Sequence, residues 1–264
     1  ALAVAMLYAC APTIHGAGGW NYHTEITLAY YFASIWALAR ATESPRPMRW
    51  CLAAGAFIAA AVHTHIVIAA FLPMQVLHFA LMHRARTGKI PWVRAIDVLS
   101  GGLLLTLVLG VVNFASGGDL FFFMPQIEYT RSLSREGNLY FVSGTGWFAQ
   151  GYWLVSLLLA LVCSTAVLMR VLLQKQHPAV ERLLTANFPA QFLWAALVMG
   201  YLEFVRHQTI LQANYQAVIL NGPAFLALAA YLHAFAKCER PQRALLFELG
   251  LLLACAGPLL LLPD

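Results

Sequence analysis

Residues 50–82 read WCLAAGAFIAAAVHTHIVIAAFLPMQVLHFALM, an apolar run of 33 residues broken most sharply at His63-Thr64-His65. As one helix it would be about 50 Å long, against a bilayer hydrocarbon core of about 30 Å. Two readings fit that length: two short helices divided at His63-Thr64-His65, or one tilted helix kinked at Pro73. Charge favours the division. It returns Arg46 and Arg49, before the run, to the same side as Arg84, Arg86 and Lys89 after it, as a bias of basic residues to one face requires.

Composition agrees with a membrane setting. The chain of 264 residues is 61% hydrophobic and 10% charged, with a mean hydropathy of +0.71, whereas soluble domains carry about 25% charged residues. The reading is an all-α, polytopic integral membrane protein. Five cysteines, Cys10, Cys51, Cys163, Cys238 and Cys255, lack paired spacing, so neither a zinc cluster nor a disulfide framework is expected; they read as small buried hydrophobes. The net charge of +5 does not point to nucleic acid, because the basic residues collect on one side of the inferred spans.

Those spans work outward from the central run. Before it, Ile26 to Ala39 crosses once and ends at Arg40; after it come residues 95–115, 147–170, 188–205, 214–236 and 244–262. Residues 1–14 supply only about 21 Å of helix, with no initiator Met and no charged flank like that of a signal peptide. The chain is therefore expected to begin inside a helix and to be a fragment of a longer protein. The result is about nine transmembrane helices, the first truncated, in a single domain 1–264 without internal repeats. The order places 13 of the 16 Lys and Arg residues on one side and leaves Arg131, Arg135 and Arg206 opposite. The basic side is then cytoplasmic, and the longest loop, Ser116 to Gly146, lies outside.

On that outer side gather His15, His23, His63, His65 and His207 with Glu25, Asp119, Glu128, Glu136 and Glu203. Glu25 stands in the first turn of its helix, where the dipole favours a carboxylate, two residues after His23. The pair reads either as a metal-ligating or catalytic element or as an interfacial helix cap. His63 and His65 can project from one turn to hydrogen-bond a phosphate or ligate a metal, or be turn residues satisfied by backbone carbonyls. Phe121 to Phe123 and Met124 are too few to span and too apolar for water, which suits an interfacial loop or helix. Arg131 and Arg135, four apart, would share a helix face able to clamp an anionic headgroup; alternatively Arg131 pairs with Glu128 and Arg135 reaches lipid phosphates. Glu203 and Arg206, three apart, form a local pair, or Glu203 orients Arg206 to bind a phosphate, with His207 following. On the basic side, Asp97 near Arg94, Glu43, Glu181, Glu239 and Glu248 read as structural.

Two stretches resemble membrane-embedded GT-C-class glycosyltransferases that use polyprenyl-phosphate sugars, of the protein O-mannosyltransferase and aminoarabinose-transferase type. One runs from Ala11-Pro12 through the outer loop to Glu25 and on through Tyr30 to Arg40. The other is Leu52 to His65 followed by Phe71-Leu72-Pro73, similar to the family's Gly-containing helix ending in a Thr-Lys or Thr-His pair. A third, Asn214-Tyr215 through Pro223, resembles a late helix that often opens Arg-Tyr; here Asn214 replaces the arginine.

The resemblance implies sugar transfer from a polyprenyl-phosphate donor to a hydroxyl on a glycan, lipid or protein acceptor. It places the enzyme in a bacterial inner membrane with its polar site facing outward. Glu25 and His23 would be catalytic or orienting, with Glu25 also the ligand of a divalent metal ion of open identity. His63, His65, Glu128, Arg131, Arg135, Arg206, His207 and Tyr215 would bind substrate. The family's main catalytic acid lies in an earlier outer loop, upstream of this sequence. The competing readings are a transporter or flippase of lipid-linked saccharides, which calls for charges near mid-bilayer and discontinuous helices, and a non-catalytic membrane scaffold.

Overall fold

The computed structural model describes residues 22–125, 127–128, 131–132, 152–173, 178–201, 205, 223–224, 226–227 and 230–231. All regular structure among them is helical. Backbone contacts divide the chain into two compact units, one spanning His23–Leu139 and the other joining Ala1–Tyr22 to Tyr140–Asp264. Three described helical stretches are long and apolar enough to cross a membrane: Ile66–Thr87, Trp92–Ala115 and Ala179–Gly200.

The first unit contains helices α1 (Tyr22–Glu43), α2 (Pro47–Thr64), α3 (Leu72–Thr87) and α4 (Trp92–Ala115), with a 3-10 segment at Ile66–Phe71 before α3. The division at His63-Thr64-His65 is present, and the single kinked helix is overturned. His65 is extended at φ −152° and ψ 105°, which ends the α-helical ladder. Pro73 then sits in the opening turn of α3, where its missing N–H has no helical partner to lose. Pro47 plays the same part in α2, and the alanine-rich body that follows has high helix propensity.

Contacts along the helices fix their directions. Tyr30 stacks with Phe57 at a centroid distance of 6.5 Å, and Trp36 meets Trp50 edge-on at 4.9 Å, so α1 and α2 run antiparallel. Tyr31 meets Phe71 at 6.0 Å, Gln75 reaches Ser34, and Arg86 reaches Thr42, so α3 runs parallel to α1. Gly55 lies against Val98 and Gly102, Ala59 against Gly102, and His63 against Thr106; α4 therefore runs parallel to α2. The four helices thus alternate in direction along the chain. This threading puts Arg40, Arg46, Arg49, Arg84, Arg86, Lys89 and Arg94 at one end of the unit, with the α1 opening turn and the His63–His65 corner at the other.

Two kinds of contact hold these helices. Between α2 and α4 the backbones meet directly: a Cβ on Gly55 would overlap the Val98 carbonyl, and one on Gly101 would overlap the Leu52 carbonyl. Small residues permit that approach, which gains dispersion contacts where lipid supplies no hydrophobic drive for helix association. Between α1 and α3 the contact is polar. Buried Gln75 donates from Nε2 to Ser34 Oγ at 2.8 Å and to the Tyr31 carbonyl at 3.4 Å, while Ser34 Oγ donates to the same carbonyl at 2.6 Å. Toward the basic end, Ala37, Leu38 and Ala41 of α1 pack with Cys51 and Ala54 of α2 and Phe79 of α3. Cys51 is buried and free, as is Cys163 in the second unit, in keeping with their reading as core hydrophobes.

In the first unit, α1 and α4 outrun the apolar stretches from which they were inferred. Expected at 26–39 and 95–115, α1 and α4 cover Tyr22–Glu43 and Trp92–Ala115. Polar end residues keep helical backbone while their side chains turn outward. On the basic side, Arg94 Nη1 donates to Asp97 Oδ2 at 2.8 Å, and Glu43 takes Arg86 at 3.1 Å and Arg40 at 3.7 Å. These are the structural roles expected of Asp97 and Glu43.

The second unit contributes α5 (Tyr152–Leu173) and α6 (Ala179–Gly200), which pack together. Residues 147–170 and 188–205 were the expected spans. The start of α6 moves nine residues upstream because Pro189 lies inside the helix rather than at its beginning. Proline removes one helical hydrogen bond; ending the helix within hydrocarbon would leave several groups unpaired. Ala160, Cys163, Ser164 and Val167 are buried on α5, and Asn187, Gln191, Phe192, Ala195 and Met199 on α6, both at helical spacing.

Candidate functional site

The end of the first unit opposite the basic cluster carries the candidate site. His23 and Glu25 lie on the opening turn of α1; their side chains lie outside the described residues. Extending the antiparallel register from Tyr30–Phe57 brings that turn level with the last turn of α2, which bears His63. Two of the expected catalytic positions and two of the expected substrate-binding positions therefore share one end of one helical unit.

His63 is held from two directions. Its Nε2 shares a 2.9 Å hydrogen bond with Thr106 Oγ1 of α4, the donor being set by the imidazole tautomer. Its ring lies 4.9 Å from Phe122 and 5.8 Å from Phe123. His63 is thus neither a bare turn residue satisfied by backbone nor an exposed ligand. His65 follows at the extended break; its N–H donates to the Ala61 carbonyl at 2.9 Å and its carbonyl accepts from Ile68 N–H at 3.1 Å.

The aromatic segment reaches His63 because of how α4 ends. Gly117 adopts φ +87°, the left-handed conformation that glycine takes without a Cβ penalty. Gly118 N–H donates to the Asn113 carbonyl at 2.9 Å and Gly117 N–H to the Phe114 carbonyl at 3.0 Å, the paired bonds of a Schellman helix end. Asn113 Nδ2 donates to the Asp119 carbonyl at 2.7 Å. The chain then folds back so closely that a Cβ on Gly110 would stand 2.6 Å from the Leu120 carbonyl oxygen. Phe122 and Phe123 are half-buried against His63, while Phe121 and Met124 stay exposed.

Beside this turn is a cavity of about 480 Å³ lined by Phe114, Asp119, Leu120, Phe121, Met124, Pro125 and Glu128. Among its described lining residues the ionisable side chains are carboxylates, Asp119 and Glu128. Glu128, grouped with Arg131 at the sequence level, forms no ion pair with it among the described residues. Arg135, Arg206, His207 and Tyr215 lie outside the described residues. Among the described residues no three His, Cys, Asp or Glu side chains converge on a metal-sized site.

Sequence reasoning missed Thr106, Asn113 and Gln75. Each is a hydrogen-bonding side chain within a mostly apolar helix, and such a residue in a membrane helix generally finds a partner. That signal was available for all three.

No protein-family model matches this chain, and no curated protein or solved structure matches it significantly either.

Proposed function

We propose that the chain is the membrane part of a glycosyltransferase that moves a sugar from a polyprenyl-phosphate donor to a hydroxyl on a glycan, lipid or protein acceptor. One observation carries the reading: the antiparallel pairing of α1 with α2 sets the His23–Glu25 turn level with the His63–His65 corner, away from the basic residues. In this reading the basic end is cytoplasmic, the nine-span arrangement holds, and the polar end faces outward from a bacterial inner membrane.

The acceptor hydroxyl loses its proton to a carboxylate as its oxygen attacks the anomeric carbon and the lipid phosphate departs. Glu25, with His23, orients the acceptor. His63, fixed by Thr106, together with His65, Arg131, Arg135, Arg206 and His207, stabilises charge on the leaving phosphate, while Glu128 and Tyr215 contact the substrate. A divalent cation at Glu25 is part of the resemblance, but the described residues do not assemble its ligands, and no step here runs through a metal.

The test is transfer of labelled sugar from polyprenyl phosphate in membranes carrying the full-length gene product. Glu25→Gln is expected to lower the rate by about a hundredfold. Unchanged transfer would remove Glu25 from the mechanism.

A transporter or flippase of lipid-linked saccharides is the second reading. It is favoured by buried Ser164, Asn187 and Gln191 in α5 and α6, where Ser164 Oγ and Asn187 Oδ1 have no hydrogen-bond partner among the described residues. Ser164 lies nine residues before the end of α5 and Asn187 eight after the start of α6, both about 13 Å along their helices from the connection. Labelled lipid-linked sugar crossing vesicles without covalent transfer, and losing that passage with Asn187→Ala, would favour it.

A further inference from the structure

The 2.9 Å bond between His63 Nε2 and Thr106 Oγ1 can run in two directions. Either the imidazole donates to the hydroxyl, or the hydroxyl donates to the imidazole. The habits of the other threonines decide between them. Thr42, Thr64, Thr87, Thr165 and Thr185 each donate to a backbone carbonyl three or four residues back, the local bond open to a threonine hydroxyl on a helix. Thr106 makes no such bond among the described residues, where its one partner is His63. Were Nε2 the donor, the Thr106 proton would be left without an acceptor inside an apolar span, a costly arrangement in hydrocarbon. The bond therefore runs from Thr106 to His63.

That direction fixes the ring. A neutral imidazole whose Nε2 lone pair accepts a hydrogen bond carries its proton on Nδ1. Nδ1 has no hydrogen-bond partner among the described residues, and it is not sealed from its surroundings. Its N–H is thus free to meet a ligand. Phe122, tilted 47° at 4.9 Å, and Phe123, tilted 37° at 5.8 Å, crowd the ring and resist the half-turn about Cβ–Cγ that would exchange its edges. Both nitrogens are then committed. A metal ion needs a ring lone pair, and none remains; an acceptor oxygen needs an N–H, and one is offered.

We infer that Thr106 is a positioning residue that holds His63 as the neutral Nδ1–H tautomer, making His63 a hydrogen-bond donor to a phosphate oxygen and closing it to metal ions. Of the two roles open to His63 in the sequence, phosphate donor and metal ligand, the first is kept and the second removed. That the phosphate is the one leaving a lipid-linked sugar rests on the sugar-transfer reading; the tautomer does not.

The test uses the full chain carrying ring-15N histidine, purified in detergent and held at about pH 8, where a histidine ring is neutral. His63 is identified in its nuclear magnetic resonance spectrum by comparison with His63→Gln. Nδ1 is expected to show an attached proton and Nε2 none. Thr106→Ser should keep that signature, and Thr106→Val, of similar shape but without the hydroxyl, should lose it. A merely structural role would not move the proton between nitrogens. Farnesyl phosphate should shift the Nδ1–H resonance at about tenfold lower concentration than inorganic phosphate, since its chain adds apolar contact, and zinc chloride should leave it unmoved. In membranes carrying the full-length gene product, Thr106→Val should lower kcat for sugar transfer about fivefold at a KM within about twofold, and Thr106→Ser should recover the loss. A proton on Nε2 in the unaltered chain would overturn the inference, as would a signature that survives Thr106→Val or a His63 that answers to zinc and not to phosphate. If no version transfers sugar while the tautomer and the response to farnesyl phosphate stand, the sugar-transfer reading fails and the assignment of Thr106 and His63 holds.

Discussion

Helices α2 and α4 meet through bare backbone at Gly55, Gly101 and Gly102, whereas α1 and α3 meet through the side chains of Ser34 and Gln75. Both contacts join parallel helices in the same unit, yet they solve different problems. In lipid, burying apolar surface gives helices little reason to associate, and two devices remain: closer approach and hydrogen bonding. Glycine contact fixes how near two axes come and is sensitive to a single added carbon. The amide–hydroxyl contact fixes which residues face each other and tolerates small changes of distance. The His63–Thr106 bond, eight residues along from Gly55 and four from Gly102, depends on the first device.

The largest expected effect comes from filling the glycine contact. Gly55→Leu or Gly101→Leu places carbon where a carbonyl already stands, and overpacking of that kind costs about 3 kcal/mol. Gly102→Ala should cost far less, because its Cβ would lie 3.3 Å from the Gly55 carbonyl oxygen, a distance a slight shift relieves. Unfolding of the reconstituted protein in a graded mixture of detergent and dodecyl sulfate measures both. If Gly55→Leu unfolds like the unaltered chain, the close approach of α2 to α4 is wrong.

The polar contact should respond more mildly and unequally. Ser34→Ala leaves the Gln75 amide with a distant carbonyl alone, and an unsatisfied buried group costs about 1–2 kcal/mol. Gln75→Leu should cost less than Ser34→Ala, since it also removes Gln75 Oε1, a buried acceptor without a partner. The reversed order would show that side-chain volume, not hydrogen bonding, joins α1 to α3. Smaller again is the coupling between His63 and Thr106, expected near 0.6 kcal/mol in a double-mutant cycle by analogy with other interhelical bonds in membranes. A zero coupling would free His63 from α4.

This contrast also explains what could be read in advance. Hydropathy and charge located α1 to α4 and their directions, because the bilayer dimension and the clustering of arginines each constrain the chain at long range. They gave helix cores but not ends: the span expected from residue 188 begins at Ala179, with Pro189 inside α6, since a missing N–H weighs less than a broken helix in hydrocarbon. The His63–His65 corner was legible from its polarity. That Thr106 and Phe122 would close around His63 was not, because it depends on the α2–α4 crossing and on Gly117 turning the chain back. Glycines appear in a sequence as small residues, and nothing local says which helix they admit.

At the basic end the contrast can be tested where neither device operates. Glu43 is about half exposed and takes Arg86 at 3.1 Å and Arg40 at 3.7 Å, and exposed ion pairs contribute about 0.2–1 kcal/mol at most. Glu43→Gln is therefore expected to change stability by less than about 0.5 kcal/mol, and by less still in high salt. Arg86→Met should cost slightly more, because Arg86 Nη1 also donates to the Thr42 carbonyl at 3.0 Å, one of the acceptors left open where α1 ends. Salt should weaken the first effect and spare most of the second, since the carbonyl bond does not need Glu43. If Glu43→Gln instead matched the glycine substitutions, the pairing of α1 with α3 would be set by charges outside the bilayer, and Ser34 and Gln75 would only fill the space between them.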